Sequence, residues 1–398
     1  MYSNKNQIIF KITHIISFLI GLAPYSIRIS SYSSKKPEFN FTITYSRLGC
    51  TYNILLMFVF VGMTLIVTPR LIAWQYGDHS VLSIIVAIQT MIGSIASIIV
   101  ILHYTLHQKQ SVTIGNKFSE FDATYGNKFL RAFDESNSNR LKNLRHWLTI
   151  FLFTFIWSGV VSTSVGDEQS PACIASFLNV IVLSSVLIQY SSVVDNLRGR
   201  FKRLNAVLPK IFKCPIPSLP FAENVWNNRF VTNDFVAFRQ ARNELYRISC
   251  LTSEFYSFPI LLTIFYSCCA TINTAYYFLL NVVQVDQFIL HHHGLNILFW
   301  FFICVYPTIA LSRSVHIFNI EMHKTADIVY DILDTSASNR EVEYQLNNFA
   351  LEVKHKKVEF TACGFFSLDC TLLQSMFGAF VTYLLIMLQF KPKDVMQD

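Results

Sequence analysis

Long apolar runs separated by polar segments set the pattern of this chain. Seven runs are long enough to cross a hydrocarbon layer of about 30 Å as helices. They are Leu48–Thr68, Val81–Tyr104, Trp147–Val165, Ala172–Val194, Phe258–Val285, Gly294–Ser312 and Thr371–Phe390. An eighth, Ile8–Pro24, carries Lys11, His14 and Ser17 at every third position, with Ile8, Ile12, Ile15, Ile16 and Leu19 on the other side. That spacing predicts an interfacial or shallow re-entrant helix in preference to a span. The same polar residues argue against a signal peptide, and no convincing small-residue cleavage site follows. Between Ile317 and Phe360, Val342, Leu346, Phe349 and Val353 recur at helical spacing among charged residues, predicting a helical pair ahead of the last run. Its apolar face reads, from the sequence pattern, as packing on its own subunit. Pro209, Pro215, Pro217 and Pro220 predict a loop in the middle of the chain.

The last run is unlike the others. It holds no charge, yet at 100° per residue Thr371, Ser375, Gly378, Thr382 and Gln389 share a narrow arc, flanked by Leu385 and Ile386. A helix facing only lipid has no use for such a stripe. Small and hydroxyl residues at these spacings either glue membrane helices together or line water. If the stripe lines a pore, Ile386 interrupts it near one end, and a ring of Ile386 side chains forms a hydrophobic constriction of the kind that gates by excluding water. Gln389 would then sit just beyond the gate and Phe390 behind it.

Composition agrees with a polytopic membrane protein. Of 398 residues, 52% are hydrophobic and only 14% charged, against about a quarter in soluble proteins. The mean hydropathy is +0.39. The net charge of +7 has no nucleic-acid motif beside it and is better read as a topology signal. Lys and Arg number six in residues 1–47, seven in 105–146, ten in 195–257 and six in 313–370. The intervening segments hold Arg70 alone, and the tail holds Lys391 and Lys393. The positive-inside rule therefore expects an all-α membrane protein of seven transmembrane helices, with its N-terminus cytoplasmic and its C-terminus extracellular. That arrangement is the reverse of a G-protein-coupled receptor, whose Asp-Arg-Tyr and Asn-Pro-x-x-Tyr signatures are also missing. The expected organisation is 1–47 as a cytoplasmic segment with an interfacial helix, 48–312 as a six-helix sensing region, 313–370 as cytoplasmic anchor helices, and 371–398 as the pore helix and a short tail.

Two stretches resemble a known family. Thr382-Tyr383, five apolar residues and Gln389-Phe390 match the signature of insect gustatory receptors, and Gly364-Phe365-Phe366-Ser367-Leu368-Asp369 resembles the run before it. The resemblance implies a tastant-gated, non-selective cation channel in the plasma membrane of gustatory neurons, at their dendrites. It also implies a homotetramer or a heteromer with related receptors, whose anchor helices meet beneath the membrane and whose last helices line the pore. The family associates the position of Ile386 with the gate. Leu384 stands where sugar-sensing members tend to have Glu, which favours a bitter-type or divergent branch, although fructose-type receptors are also apolar there. An odorant receptor of the same superfamily and a secondary transporter remain the alternatives. The latter is expected to show repeat symmetry and broken helices.

No phosphate-binding Gly loop, Gly-x-Ser-x-Gly elbow or metal-spaced Cys/His set occurs, so neither catalysis nor a cofactor is expected. His291-His292-His293 reads as a metal or pH site or, more simply, as a solvated turn. Asp369 reads as the cap of the last helix. The expected partners are a small-molecule tastant and membrane lipid. The candidate pocket residues are Gln89, Trp157, Asn273, Tyr277, Asn281 and Trp300, with Tyr276 alongside; Asn273, Tyr277 and Asn281 share one helix face. Their other reading is hydrogen bonding between helices.

Overall fold

The computed structural model describes residues 2–32, 38–73, 80–126, 129, 170–212, 223–284, 287–335 and 340–389. The chain runs α1 (Tyr2–Leu19), β1 (Tyr25–Tyr32), β2 (Glu38–Tyr45), α2 (Arg47–Ala73), α3 (Ser80–Leu106) and α4 (Gln108–Tyr125). It continues with α5 (Ser170–Phe212), α6 (Glu223–Gln284), α7 (Gln287–Thr335), α8 (Arg340–His355) and α9 (Cys370–Gln389). Among the described residues five helices are long and apolar enough to cross a membrane, and α9 adds a shorter apolar one. The expected run Trp147–Val165 lies outside the described residues. The other six coincide with α2, α3, part of α5, part of α6, part of α7, and α9.

α5 is the centre of the bundle and packs on α2, α3, α6 and α7. Of its membrane segment 67% is buried, against 17% for α2, which turns Leu55, Phe58 and Leu65 outward as a lipid-facing helix does. Polar side chains clip the central helices together. Asn179, fully buried on α5, donates to Thr90 O at 3.2 Å and Ser94 Oγ at 3.0 Å on α3, and accepts from Ser97 Oγ. Ser191 and Ser314 join α5 to α7 at 2.8 Å. In a membrane such bonds hold helices that hydrophobicity alone does not.

Three helices run well past their apolar segments. α5 continues from Val194 to Phe212, α7 from Ser312 to Thr335, and α6 begins at Glu223, far ahead of Phe258. Amphipathic residues extend them, and the last turn of α5 accepts Pro209, which the expected loop had included; Pro215, Pro217 and Pro220 lie outside the described residues. These extensions and α8 make a compact body at the basic end of the molecule. There Leu346, Phe349 and Val353 of α8 are buried, and Phe349 meets Phe235 and Phe238 edge-on. The apolar face of α8 is thus used within its own subunit. Glu352 draws together Arg239 Nε at 2.5 Å, Lys356 Nζ at 2.5 Å and Asn243 Nδ2 at 2.9 Å. Burial alone would raise the Glu352 pKa, but these bonds outweigh it and lower it.

Among the described residues, a two-stranded antiparallel hairpin is the one sheet beside the helices. β1 pairs β2 from Tyr25↔Tyr45 to Tyr32↔Glu38. Asn116 on α4 docks it: the Ile43 N–H donates to Asn116 Oδ1 at 2.8 Å, and Asn116 Nδ2 donates to Ile43 O at 3.0 Å. Ahead of it, α1 ends in a Schellman turn. Gly21 takes φ +88°, Leu22 N–H donates to Ser17 O at 2.8 Å, and Gly21 N–H to Phe18 O at 3.0 Å. Asn53 holds this turn through Gly21 O at 2.9 Å, and Gly49 lies so close to Pro24 that a Cβ would meet its carbonyl oxygen at 2.4 Å. α1 exposes Ile12, Ile15 and Leu19 and buries Ser17. Its apolar side therefore faces outward, away from the body of the protein.

Candidate functional site

α9 is entered through a tight loop that docks on α6. Thr361 bridges Ser367, and Cys363 and Gly364 take φ 51° and +77° at the tip, a left-handed geometry that suits Gly364. Ser257 on α6 accepts the Cys363 N–H at 2.6 Å and donates to Thr361 O at 3.2 Å, while Ser253 donates to Glu359 O at 2.9 Å. Asp369 then caps the helix: its Oδ1 accepts from the Thr371 N–H at 2.9 Å and from the Thr371 hydroxyl at 2.5 Å. Those Thr371 bonds, with one from Ser367, lower its pKa. The expected role of Asp369 as a cap is what the geometry shows.

The helix itself has two faces. Leu372 is buried, Leu373, Met376, Phe380 and Leu384 are half-buried, and Phe380 meets Phe301 of α7 edge-on at 6.4 Å. Those residues recur every three or four positions and form the face that packs on α6 and α7. The stripe of Thr371, Ser375, Gly378, Thr382 and Gln389 lies on the opposite side and is exposed. A Cβ added at Gly378 would meet nothing within 4 Å. Ser375 and Thr382 hydroxyls donate back to Thr371 O at 3.1 Å and Gly378 O at 2.9 Å, so the stripe offers polar oxygens without needing partners. Ile386, at 40% exposure, stands on the same open side, as do Tyr383 and Leu385. Phe390 lies outside the described residues.

Of the candidate pocket residues, two are brought together: Asn273 Nδ2 on α6 donates to Gln89 Oε1 on α3 at 3.0 Å. Trp300, on α7, is half-buried against the core. Trp157 lies outside the described residues, and the side chains of Tyr277 and Asn281 lie outside the described part of α6. Asn179, which ties α5 to α3 beside Gly93, was missed; a lone Asn in an apolar run is the signal that could have flagged it. His291–His293 lies in the first turns of α7, not in a turn between elements, because the helix begins at Gln287 ahead of the apolar residues Phe288, Ile289 and Leu290. Among the described residues no group of His, Cys, Asp and Glu is placed to hold a metal ion.

A bundle of membrane helices with a helical body at one end and a separately docked final helix defines a multi-pass membrane protein. It superimposes on the insect olfactory receptor OR5 from Machilis hrabei with a TM-score of 0.65 over 96% of this chain and 97% of that one, at 14% identity. The same receptor in complex with eugenol matches at TM-score 0.55 over 95% of this chain and 97% of that one, at 13% identity. The sequence profile of the 7tm Chemosensory receptor family matches residues 10–394, and the chain belongs to that family. In Drosophila melanogaster, the protein named gustatory receptor 28a is 26% identical over 55% of this chain and 56% of its own length. The gustatory and pheromone receptor 32a is 34% identical over 25% of this chain and 22% of its own length. The chain thus spans about half or less of the length of these relatives.

Proposed function

We propose that the protein is a gustatory receptor working as a ligand-gated, non-selective cation channel, in which four copies each present the polar stripe of α9 to a shared axis. The observation that carries this reading is the direction of the stripe. It points away from its own subunit, so it is not glue for its own bundle, and an exposed file of hydroxyls and a Gln side chain suits a water-filled path. Ile386 then forms the gate, with Gln389 beyond it. The sequence relatives favour a taste receptor over an odorant receptor of the same superfamily, and Leu384 favours a bitter-type or other non-sucrose branch. The basic body is placed in the cytoplasm by the positive-inside rule, with α1 lying along the inner interface.

Currents through the purified protein in liposomes, tested against plant alkaloids and sugars, separate a channel from a transporter by their rate. Ile386→Ser is expected to leak without ligand, and Gln389→Ala to change conductance or ion selectivity more than agonist potency. A variant Ile386→Ser that reaches the surface yet stays closed, with normal selectivity in Gln389→Ala, removes α9 from the pore. The ligand is proposed to enter a cleft near the Gln89–Asn273 pair and the side chains of Tyr277, Asn281, Trp157 and Trp300. Tyr277→Ala should cost roughly 10–100-fold in potency at normal surface expression. Unchanged potency and maximum current would assign that face to packing. Orientation is checked at Asn40-Phe41-Thr42, a sequon on β2 that should stay unglycosylated; an endoglycosidase-sensitive shift abolished by Asn40→Gln reverses the topology.

A further inference from the structure

A half-open cavity of about 220 Å³ lies at the basic end, lined by α1, the hairpin, α4 and the adjoining parts of α5 and α6. Along α6 its Tyr256 lies 17 residues, about 25 Å, from Asn273, so it is separate from the Gln89–Asn273 pair. Its walls are mainly apolar and aromatic, with Phe41, Ile43, Ile114, Phe118 and Phe255 among them. Into it α1 turns His14 and Ser17, its polar side, while Ile12, Ile15 and Leu19 face outward.

The polar groups in the lining differ in what they have left to offer. Arg200 is already committed: it makes a two-bond pair with Asp122 at 2.9 and 2.6 Å, bonds Asn196 O at 3.1 Å, and lies 4.7 Å over the Phe118 ring. An anion would have to break that pair, so the cavity has no spare positive charge. Gln189 is held by the Tyr104 hydroxyl at 2.8 Å and reaches Leu22 O at 3.4 Å. Two lining atoms remain buried with no hydrogen-bond partner, His14 Nδ1 and Ser192 Oγ. Buried polar atoms seldom stay unsatisfied, and leaving one so costs about 1–3 kcal/mol. Burial also lowers the His14 pKa, which favours a neutral imidazole able to give or take one hydrogen bond.

We propose that this cavity is a second binding site, taking an uncharged single-ring compound that bears one hydroxyl or carbonyl, with the ring against Phe118 and Phe255 and the polar atom bonded to His14 and Ser192. The size agrees, since a dry cavity of about 150 Å³ already admits a benzene ring. Such a compound bridges α1 and the hairpin to α5 and α6, where Phe255 and Tyr256 stand about one turn ahead of Pro259.

Photolabelling of the full-length protein tests this without any channel current, so the outcome does not depend on the proposed function. The probe is a trifluoromethyl-diazirinyl benzyl alcohol, applied in detergent and in phosphatidylcholine nanodiscs, with adducts mapped by peptide mass spectrometry. Adducts on the peptides carrying His14, Phe118 and Phe255, removed by excess benzyl alcohol in both media, are expected. Ser192→Ala, a change too small to unfold α5, should raise the half-saturating probe concentration about tenfold. Ser192→Phe should abolish labelling while gel filtration stays unchanged; if it fails to fold, Ser192→Ala decides alone. Adducts elsewhere, or wild-type labelling in Ser192→Ala, overturn the proposal. Labelling that is strong in detergent but absent in nanodiscs also overturns it, because a lipid chain then fills the cavity.

Discussion

α8 and α9 are neighbours in sequence and use their apolar residues in opposite ways. On α8, Phe349 is fully buried among Phe235 and Phe238; on α9, Phe377 is 68% exposed. The basic-end body closes on itself through aromatic edges and a carboxylate shared by three donors. The last helix holds to its subunit by one narrow face and leaves both its apolar flanks and its polar stripe open. Exposed apolar surface on this scale needs lipid or another protein to cover it. The difference separates a part that is complete in one subunit from a part that is completed only in company.

Substitutions can break this contrast or sharpen it. Phe349→Ala should be the most damaging, costing about 3–5 kcal/mol by opening a cavity in the body, read as a lower melting temperature of the purified protein. Asp369→Ala removes the cap of α9 and should cost about 1 kcal/mol locally, seen as faster amide exchange in its first turn with the body unaffected. Glu352→Gln addresses acid. Because the folded carboxylate titrates below its ordinary value of 4.5, its stabilisation is present above that pH and is lost as pH falls through the lower folded value. The variant should therefore flatten the acid side of the stability curve. Phe377→Ala should be the mildest in a single subunit, within about 0.5 kcal/mol, yet should lower the fraction of the proposed tetramer in native mass spectrometry. A large loss of stability in dispersed subunits would put Phe377 in the body's class and dissolve the contrast.

Hydrophobic runs made the spans legible, and α2, α3 and α9 begin and end close to where apolar residues do. α5, α6 and α7 do not, because apolarity marks the bilayer and not the helix. Past Val194 and Ser312, and ahead of Phe258, amphipathic residues continue the backbone hydrogen bonding without a break. The hairpin was missed although Phe39, Phe41, Ile43 and Tyr45 alternate cleanly; a reading tuned to twenty-residue runs passes over a period of two. The stripe on α9 was legible as a pattern, but its direction was not, since that depends on which side packs on α6 and α7. The Gln89–Asn273 bond and the cavity beneath the hairpin join residues far apart in sequence, beyond what spacing on one helix reveals.

α6 is one rod of 62 residues, about 90 Å long, with Pro259 inside it. Proline removes a backbone bond there, which makes that turn the natural fulcrum. Asn273 lies about 21 Å to one side of it and Arg239 about 30 Å to the other. A tilt of about 5° about that point swings Asn273 by about 2 Å and Arg239 by about 2.6 Å the opposite way. Were the rod to tilt as a unit, its longer arm would lie in the body, and a motion the size of a side chain beside Gln89 would reach the Arg239–Glu352 pair enlarged and reversed.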